Sequence, residues 1–190
     1  MGVDPINSKK RSAVFLDRDG VLNRSVVKNG KPYPPNSPEE MEILPGVEEG
    51  LKLLHQAGYL LIGATNQPDV ARGKQKQAVV EQINQILLDN LPLLEIRVCY
   101  HDDPDGCDCR KPRPGLLLQA AKAHNIDLAR SYMIGDRWKD IEAGHRAGCT
   151  TILIDYGYRE PEQSVPHYRV YSLKEAADLI ENLEKDMGKG

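Results

Sequence analysis

Acids, amides and cations stand together at four places in this 190-residue chain. Asp17-Arg18-Asp19-Gly20-Val21-Leu22-Asn23 sets two carboxylates two residues apart, ahead of a glycine. Thr65-Asn66-Gln67 offers a hydroxyl and two amides, Arg110-Lys111-Pro112 two cations, and Gly135-Asp136-Arg137-Trp138-Lys139-Asp140 two further carboxylates. A lone D-x-D is common in surface loops, so the weight rests on the four segments jointly. A fifth cluster has different chemistry: Cys99-Tyr100-His101, the turn D-D-P-D-G, then Cys107-Asp108-Cys109. Thiolates and an imidazole at this spacing can complete a tetrahedron around Zn²⁺, and four protein ligands leave no position for substrate, which makes the site structural. Zinc bound by Cys99, His101, Cys107 and Cys109 would pin the loop that carries Arg110 and Lys111. Cys149, before an apolar run, reads as a small core residue.

The elements that must position these groups alternate. Ser12 to Asp17 is a short β-prone run ending in a carboxylate. Residues 24 to 45 hold five prolines and read as a loop excursion closed by Pro45-Gly46. A helix then places Val47, Leu51, Leu54 and Ala57 on one face and stops at Gly58. A strand from Tyr59 to Ala64 precedes an amphipathic helix over about Lys74 to Leu91, with Val79, Ile83, Ile86, Leu87 and Asn90 at helical spacing. A third strand spans Ile96 to Tyr100. Beyond the cysteines come a helix (Pro114 to His124), a strand (Tyr132 to Gly135), a helix (Trp138 to Ala147), a strand (Thr150 to Asp155) and a last helix (Leu173 to Lys185). This alternation predicts an α/β fold, a doubly wound, mainly parallel sheet with helices on both faces. Ligands bind outside the C-terminal ends of such strands, where the polar segments fall. Residues 12–187 are expected to form a single domain, with flexible tails at 1–11 and 188–190.

In this order, the four segments resemble the motifs of the haloacid dehalogenase superfamily of phosphatases, over roughly residues 12 to 155. The resemblance implies a Rossmann-like fold and an aspartyl-phosphate intermediate. Asp17 would attack phosphorus, and Asp19 would serve as general acid and then base. Thr65 and Lys111 would bind the transferring phosphoryl oxygens. Mg²⁺ would lie between Asp17, Asp136 and the backbone carbonyl of Asp19, because a dianionic phosphate repels an incoming carboxylate. Asp140 would orient the cluster. The set D-R-D-G-V-L-N, T-N-Q, A-R-G, the cysteine-histidine quartet and C-R-K-P-x-P-G is similar to one subgroup, the heptose bisphosphate phosphatases and related histidinol-phosphate phosphatases. The heptose branch removes the 7-phosphate of D-glycero-D-manno-heptose 1,7-bisphosphate on the way to nucleotide-activated heptose. Asn66, Gln67, Arg110 and Arg137 would then contact substrate, with Arg110 reaching the distal phosphate or sugar. Where that subgroup reads T-N-Q-S-G, this chain has Pro68-Asp69, which removes a backbone donor and adds a negative charge. Histidinol phosphate or another sugar phosphate is the rival substrate, and an inactive zinc-binding scaffold the rival of another class.

Composition narrows the field. Twenty-five bases against 28 acids give a net charge of −3, with no basic track for nucleic acid. No apolar run approaches the roughly 18 residues that span a bilayer, so a cytoplasmic monomer acting on a small phosphorylated sugar is expected. No G-x-x-x-x-G-K-[ST] is present to suggest a nucleotide-binding loop. The intervals between motifs are too short for a large cap domain, so the 24–45 and zinc loops are expected to form an open substrate rim.

Overall fold

The computed structural model describes residues 10–161 and 163–187. Six strands form one sheet: β1 (Ala13–Leu16), β4 (Leu60–Asn66), β5 (Glu95–Cys99), β6 (Tyr132–Gly135), β7 (Thr150–Ile154) and β8 (Tyr168–Val170). Their order is β5-β4-β1-β6-β7-β8, and every neighbouring pair is parallel. The chain thus builds outward from β1 on one side and then returns to build outward on the other. The crevice at that reversal, beside the C-terminal ends of β1 and β6, is where such sheets bind ligands.

Burial on both faces explains the unbroken apolar character of β1. Val14 and Leu16 enter one core with Leu51 and Leu54 of α1 (Val47–Gln56), Ile83 and Leu87 of α2 (Gln77–Asn90), and Ala176, Ala177 and Ile180 of α5 (Leu173–Met187). Ala13 and Phe15 enter the other, with Leu116, Leu117 and Ala120 of α3 (Gly115–His124) and Ala147 of α4 (Trp138–Ala147). Truncating one of these residues, for example Leu51→Ala, costs about 2–5 kcal/mol.

The differences from the sequence reading are local. The 24–45 excursion contains a hairpin, β2 (Val26–Lys28) and β3 (Lys31–Tyr33), turned by Asn29-Gly30 with both φ positive at 54° and 75°, as a two-residue I′ turn requires. A short 3₁₀ turn follows at Pro38–Glu40. The edge strand β8 was not anticipated; three residues are too few for a periodic signal. Helix α2 starts at Gln77 and buries Val80, Ile83, Asn84 and Leu87, while Asn90 is exposed. The inward face is therefore rotated from the one expected. Ala57 lies past the last turn of α1 and is also exposed. Arg11, assigned to a flexible tail, exchanges backbone hydrogen bonds with Asn125 and Asp127 at 3.0 and 2.8 Å. The remainder of both expected tails, 1–9 and 188–190, lies outside the described residues. Among the described residues no helix is long and apolar enough to cross a membrane.

Candidate active site

Asp17 follows β1 directly, and its N–H still donates to Ile134 of β6 at 3.0 Å, so the sheet fixes its backbone. The next residues close a tight turn in which Leu22 and Asn23 both donate to the Arg18 carbonyl. Lys111 reaches in from the loop after the cysteines and is almost wholly buried. Its ammonium donates to Asp17 Oδ1 at 2.8 Å and to the Ala64 carbonyl at 2.6 Å, and pairs with Asp140 Oδ1 at 2.6 Å. Asp140 lies in the first turn of α4, and its other oxygen accepts from the Arg137 N–H at 3.1 Å. One carboxylate thus caps a helix and holds the active-site cation.

Asp136, the residue after β6, differs from its neighbours: both carboxylate oxygens are buried without a well-formed hydrogen bond, and the Tyr158 hydroxyl offsets the burial only in part. Burial first, then the Asp17 and Asp140 charges, push its pKa well above the usual carboxylate range. Asp17 is raised to about 6, mainly by burial with help from Asp140 and Asp19, against the opposing pull of Lys111. Oxygens of Asp17, Asp136 and Asp140 lie within 4.8 Å of one another. Such a cluster requires protons or a cation, and all-oxygen donors suit a hard divalent ion.

Asp19 is held differently. Its carboxylate accepts from Arg18 Nη2 at 2.9 Å, Asn23 Nδ2 at 3.0 Å and Gln67 Nε2 at 2.7 Å. Arg18 is fully buried, and its Nη1 donates to Asn84 of α2 at 3.0 Å. The sequence reading assigned Arg18 no role; an arginine between two acids looks like surface spacing, and only the distant Asn84 shows that it points inward.

The second motif serves the protein first. Gln67 also donates to Thr65 Oγ1 at 2.9 Å, which leaves the hydroxyl proton of Thr65 free for an acceptor in the site. Asn66 accepts from the Lys111 N–H at 3.0 Å and donates to its carbonyl at 2.9 Å, fixing the loop that presents the ammonium. The Lys111–Pro112 peptide is cis. Asp69 is paired with Arg72 at 3.2 Å, so the charge this chain adds after Pro68 is neutralised within its own loop.

Two chambers open over these groups. The inner one, about 80 Å³, is walled by Asp17, Asp19, Thr65, Lys111 and Asp140. The outer one, about 270 Å³, shares Tyr33 of the hairpin, Asn66, Arg137 and Lys139 with it and adds Lys31 and Arg110. Arg110 is nearly buried: Nε donates to Asp103 at 2.7 Å, while Nη1 is buried without a partner. Arg137 is paired with Glu160, in the segment between β7 and β8, which the sequence reading left blank. A larger cavity of about 450 Å³ lies around Arg130, Tyr132 and Tyr168 at the opposite strand ends, remote from these carboxylates.

The cysteine-histidine quartet comes together at the end of β5. Cys109 Sγ lies 3.1 Å from Cys99 Sγ, 3.4 Å from Cys107 Sγ and 3.3 Å from His101 Nδ1, and Cys99 Sγ lies 3.7 Å from both Cys107 Sγ and His101 Nδ1. A Zn–S bond of about 2.3 Å implies tetrahedron edges near 3.8 Å. These separations are compatible with a zinc-binding loop.

Comparison with known proteins agrees with this geometry. Residues 108–176 match the HAD-hydrolase-like family model. A protein of Helicobacter pylori strain 26695 named D-glycero-beta-D-manno-heptose-1,7-bisphosphate 7-phosphatase is 37% identical over 176 residues, covering 88% of this chain and 96% of that protein. Its namesake in Pasteurella multocida is 35% identical over 188 residues, covering 92% and 99%. Among solved structures, the D,D-heptose 1,7-bisphosphate phosphatase of B. bronchiseptica, complexed with magnesium and phosphate, superimposes with a TM-score of 0.74 at 29% identity, over 90% of this chain and 99% of that one. With near-complete coverage of relatives more than a third identical, and a buried carboxylate cluster at the sheet's reversal, the chain belongs to the heptose bisphosphate phosphatase family of haloacid dehalogenase-like hydrolases and is a phosphoric monoester hydrolase.

Proposed function

We propose that this enzyme hydrolyses the 7-phosphate of D-glycero-D-manno-heptose 1,7-bisphosphate through an aspartyl-phosphate on Asp17, as a monomer whose residues 12–187 form one catalytic unit. The observation that carries the reading is the outer chamber. Five cations, Lys31, Arg72, Arg110, Arg137 and Lys139, line it against two acids, Asp69 and Asp103, beside the chamber that holds the nucleophile, and Arg110 keeps one buried N–H unpartnered. A ligand with a second anionic group fits this; histidinol phosphate, whose distal end carries cations, does not. The free cysteine thiols suit a reducing compartment such as the cytoplasm.

Asp17 and Asp136, with the Asp19 carbonyl, would hold Mg²⁺, and the desolvated oxygens of Asp136, buried without a well-formed hydrogen bond, fit that role. When bound, the ion neutralises charge between the attacking carboxylate and the phosphoryl group. Lys111 and the Thr65 hydroxyl take the equatorial oxygens, where transition-state charge collects. Asp17 forms the bond to phosphorus as the bond to the sugar oxygen breaks, and Asp19 protonates that oxygen. To do so, Asp19 enters as the carboxylic acid, gives its proton to the leaving oxygen and is left as the carboxylate. It then takes a proton from the water that cleaves the aspartyl-phosphate.

The testing experiment measures phosphate release with and without Mg²⁺ from both anomers of the heptose bisphosphate, the heptose 7-phosphate, histidinol phosphate and several hexose phosphates. Mg²⁺-dependent preference for a heptose bisphosphate is expected. Preference for any other member of the panel would overturn the substrate assignment.

A further inference from the structure

Between the second motif and the zinc loop lies a charge network that the reaction itself does not use. Arg72 donates to Asp102 through Nε and Nη2, both at 2.6 Å, and its Nη1 pairs with Asp69 at 3.2 Å. Asp102 follows the zinc-ligand candidate His101 and does three things at once. It accepts both Arg72 bonds, its Oδ1 accepts from the Asp103 N–H at 2.8 Å, and the same oxygen lies 3.6 Å from Arg110 Nη2. Its own N–H donates to Asp105 at 2.7 Å, closing a capping box on the short turn Asp103–Asp105. That turn aims the Asp103 carboxylate at Arg110 Nε.

We infer that Arg72 is a positioning residue for recognition of the substrate's second anionic group, acting through Asp102 on Arg110. The inference rests on the bisphosphate reading above. Isolated surface ion pairs contribute little, but this one is bidentate and ties the loop after β4 to the turn beyond His101. The first follows directly on Asn66, the last residue of β4, whose side chain fixes the Lys111 backbone; the second carries Asp103, which fixes Arg110. Two of the three polar nitrogens of Arg110 face Asp102 and Asp103, and Nη1 is left to the ligand. Without Arg72, Asp102 has only Arg110 as a close cationic partner. Its carboxylate would then draw Arg110 Nη2 toward itself and swing Nη1 out of register. Asp69 would at the same time regain an unneutralised charge at the chamber wall.

The test compares the zinc-loaded enzyme with Arg72→Gln, Arg110→Gln and the double variant, on the heptose 1,7-bisphosphate and on the 7-phosphate that lacks the second group. Arg72→Gln is expected to raise KM for the bisphosphate about five- to tenfold, as for members of one charge network, with kcat unchanged and the monophosphate unaffected. The double variant should lose no more than Arg110→Gln alone, and Arg72→Lys should restore only part of the loss because it cannot bridge both oxygens. An unchanged bisphosphate KM in Arg72→Gln overturns the inference, as does an additive loss in the double variant, which would put Arg72 on the substrate itself. If Arg110→Gln leaves the bisphosphate preference intact, the bisphosphate reading has failed first, and the two failures are told apart.

Discussion

Gly20 and Asp136 occupy the same space: a Cβ on the glycine would overlap the Asp136 carboxylate, and the glycine holds φ at +92°. The turn after Asp17 and Asp19 is thus a mould for the Asp136 carboxylate. Gly20→Ala should abolish Mg²⁺-dependent phosphate release and cost about 1–3 kcal/mol from strained backbone alone. Activity assays alongside Mg²⁺ titration would show it, and an active Gly20→Ala enzyme would mean that the turn is free to move.

Asp17→Asn removes the nucleophile's charge while keeping its shape. Turnover should fall by a factor on the order of 10⁴ or more, with the far-UV spectrum unchanged. Appreciable residual hydrolysis, once contaminating phosphatase is excluded by an inactive double variant, would take the nucleophilic role from this residue.

Lys111 is a buried cation with two buried anionic partners. Burial alone would push its pKa down, but Asp140 and Asp17 more than offset this and hold it above the ordinary lysine value. Lys111→Met leaves Asp17 and Asp140 facing each other uncompensated, so a loss of about 3–5 kcal/mol is expected at neutral pH. Denaturant melts at pH 7 and pH 5 would check this, the loss shrinking at the lower pH as Asp17 takes up a proton.

The carboxylate cluster gives the metal-free protein an unusual pH profile. Asp17 at about 6 and Asp136 well above its ordinary value bind protons more tightly folded than unfolded. The Asp17 contribution is therefore fully present below the unfolded value and lost as pH rises through about 6, on the order of 1–3 kcal/mol, and that of Asp136 is lost in the same direction. Melting temperature in chelator should fall between pH 5 and pH 7.5; Mg²⁺ should remove the trend, and Asp136→Asn should flatten it. A profile unchanged by Asp136→Asn would show that other groups control it.

Elemental analysis should find one zinc per chain, lost in Cys109→Ser. Stability should drop by several kcal/mol, on the order of 10 °C in melting temperature. Freshly purified protein without zinc would remove the metal from the loop.

Much of this was legible beforehand, for a physical reason. Strands buried on both faces are continuous apolar runs, and the polar residue ending each run is an exception that stands out, which is why Asp17, Thr65 and Asp136 are visible as candidates in the sequence. Residues that act on other residues left no such trace. Arg18, Asn84, Asp102 and Glu160 are ordinary in sequence and show their roles through partners 66, 30 or 23 positions away, in Arg18–Asn84, Arg72–Asp102 and Arg137–Glu160. The hairpin did leave one: Asn29-Gly30 between β-prone residues is a strong turn signal, obscured by the five prolines around it.

The division between strand ends and loops also bears on how such an enzyme changes over evolutionary time. Asp17, Asp136, Asp140 and Lys111, to which the proposed chemistry falls, are moored to the central sheet or to each other. The outer wall is assembled largely from three separate excursions: the hairpin, the loop after β4 with Asp69 and Arg72, and the turn beyond His101 with Asp103. Each begins and ends on framework that the others do not share. Mutation can therefore redraw the guest list one loop at a time while the hydrolytic engine keeps running, and drift in substrate preference among such chains should be written in those loops and not in the strands.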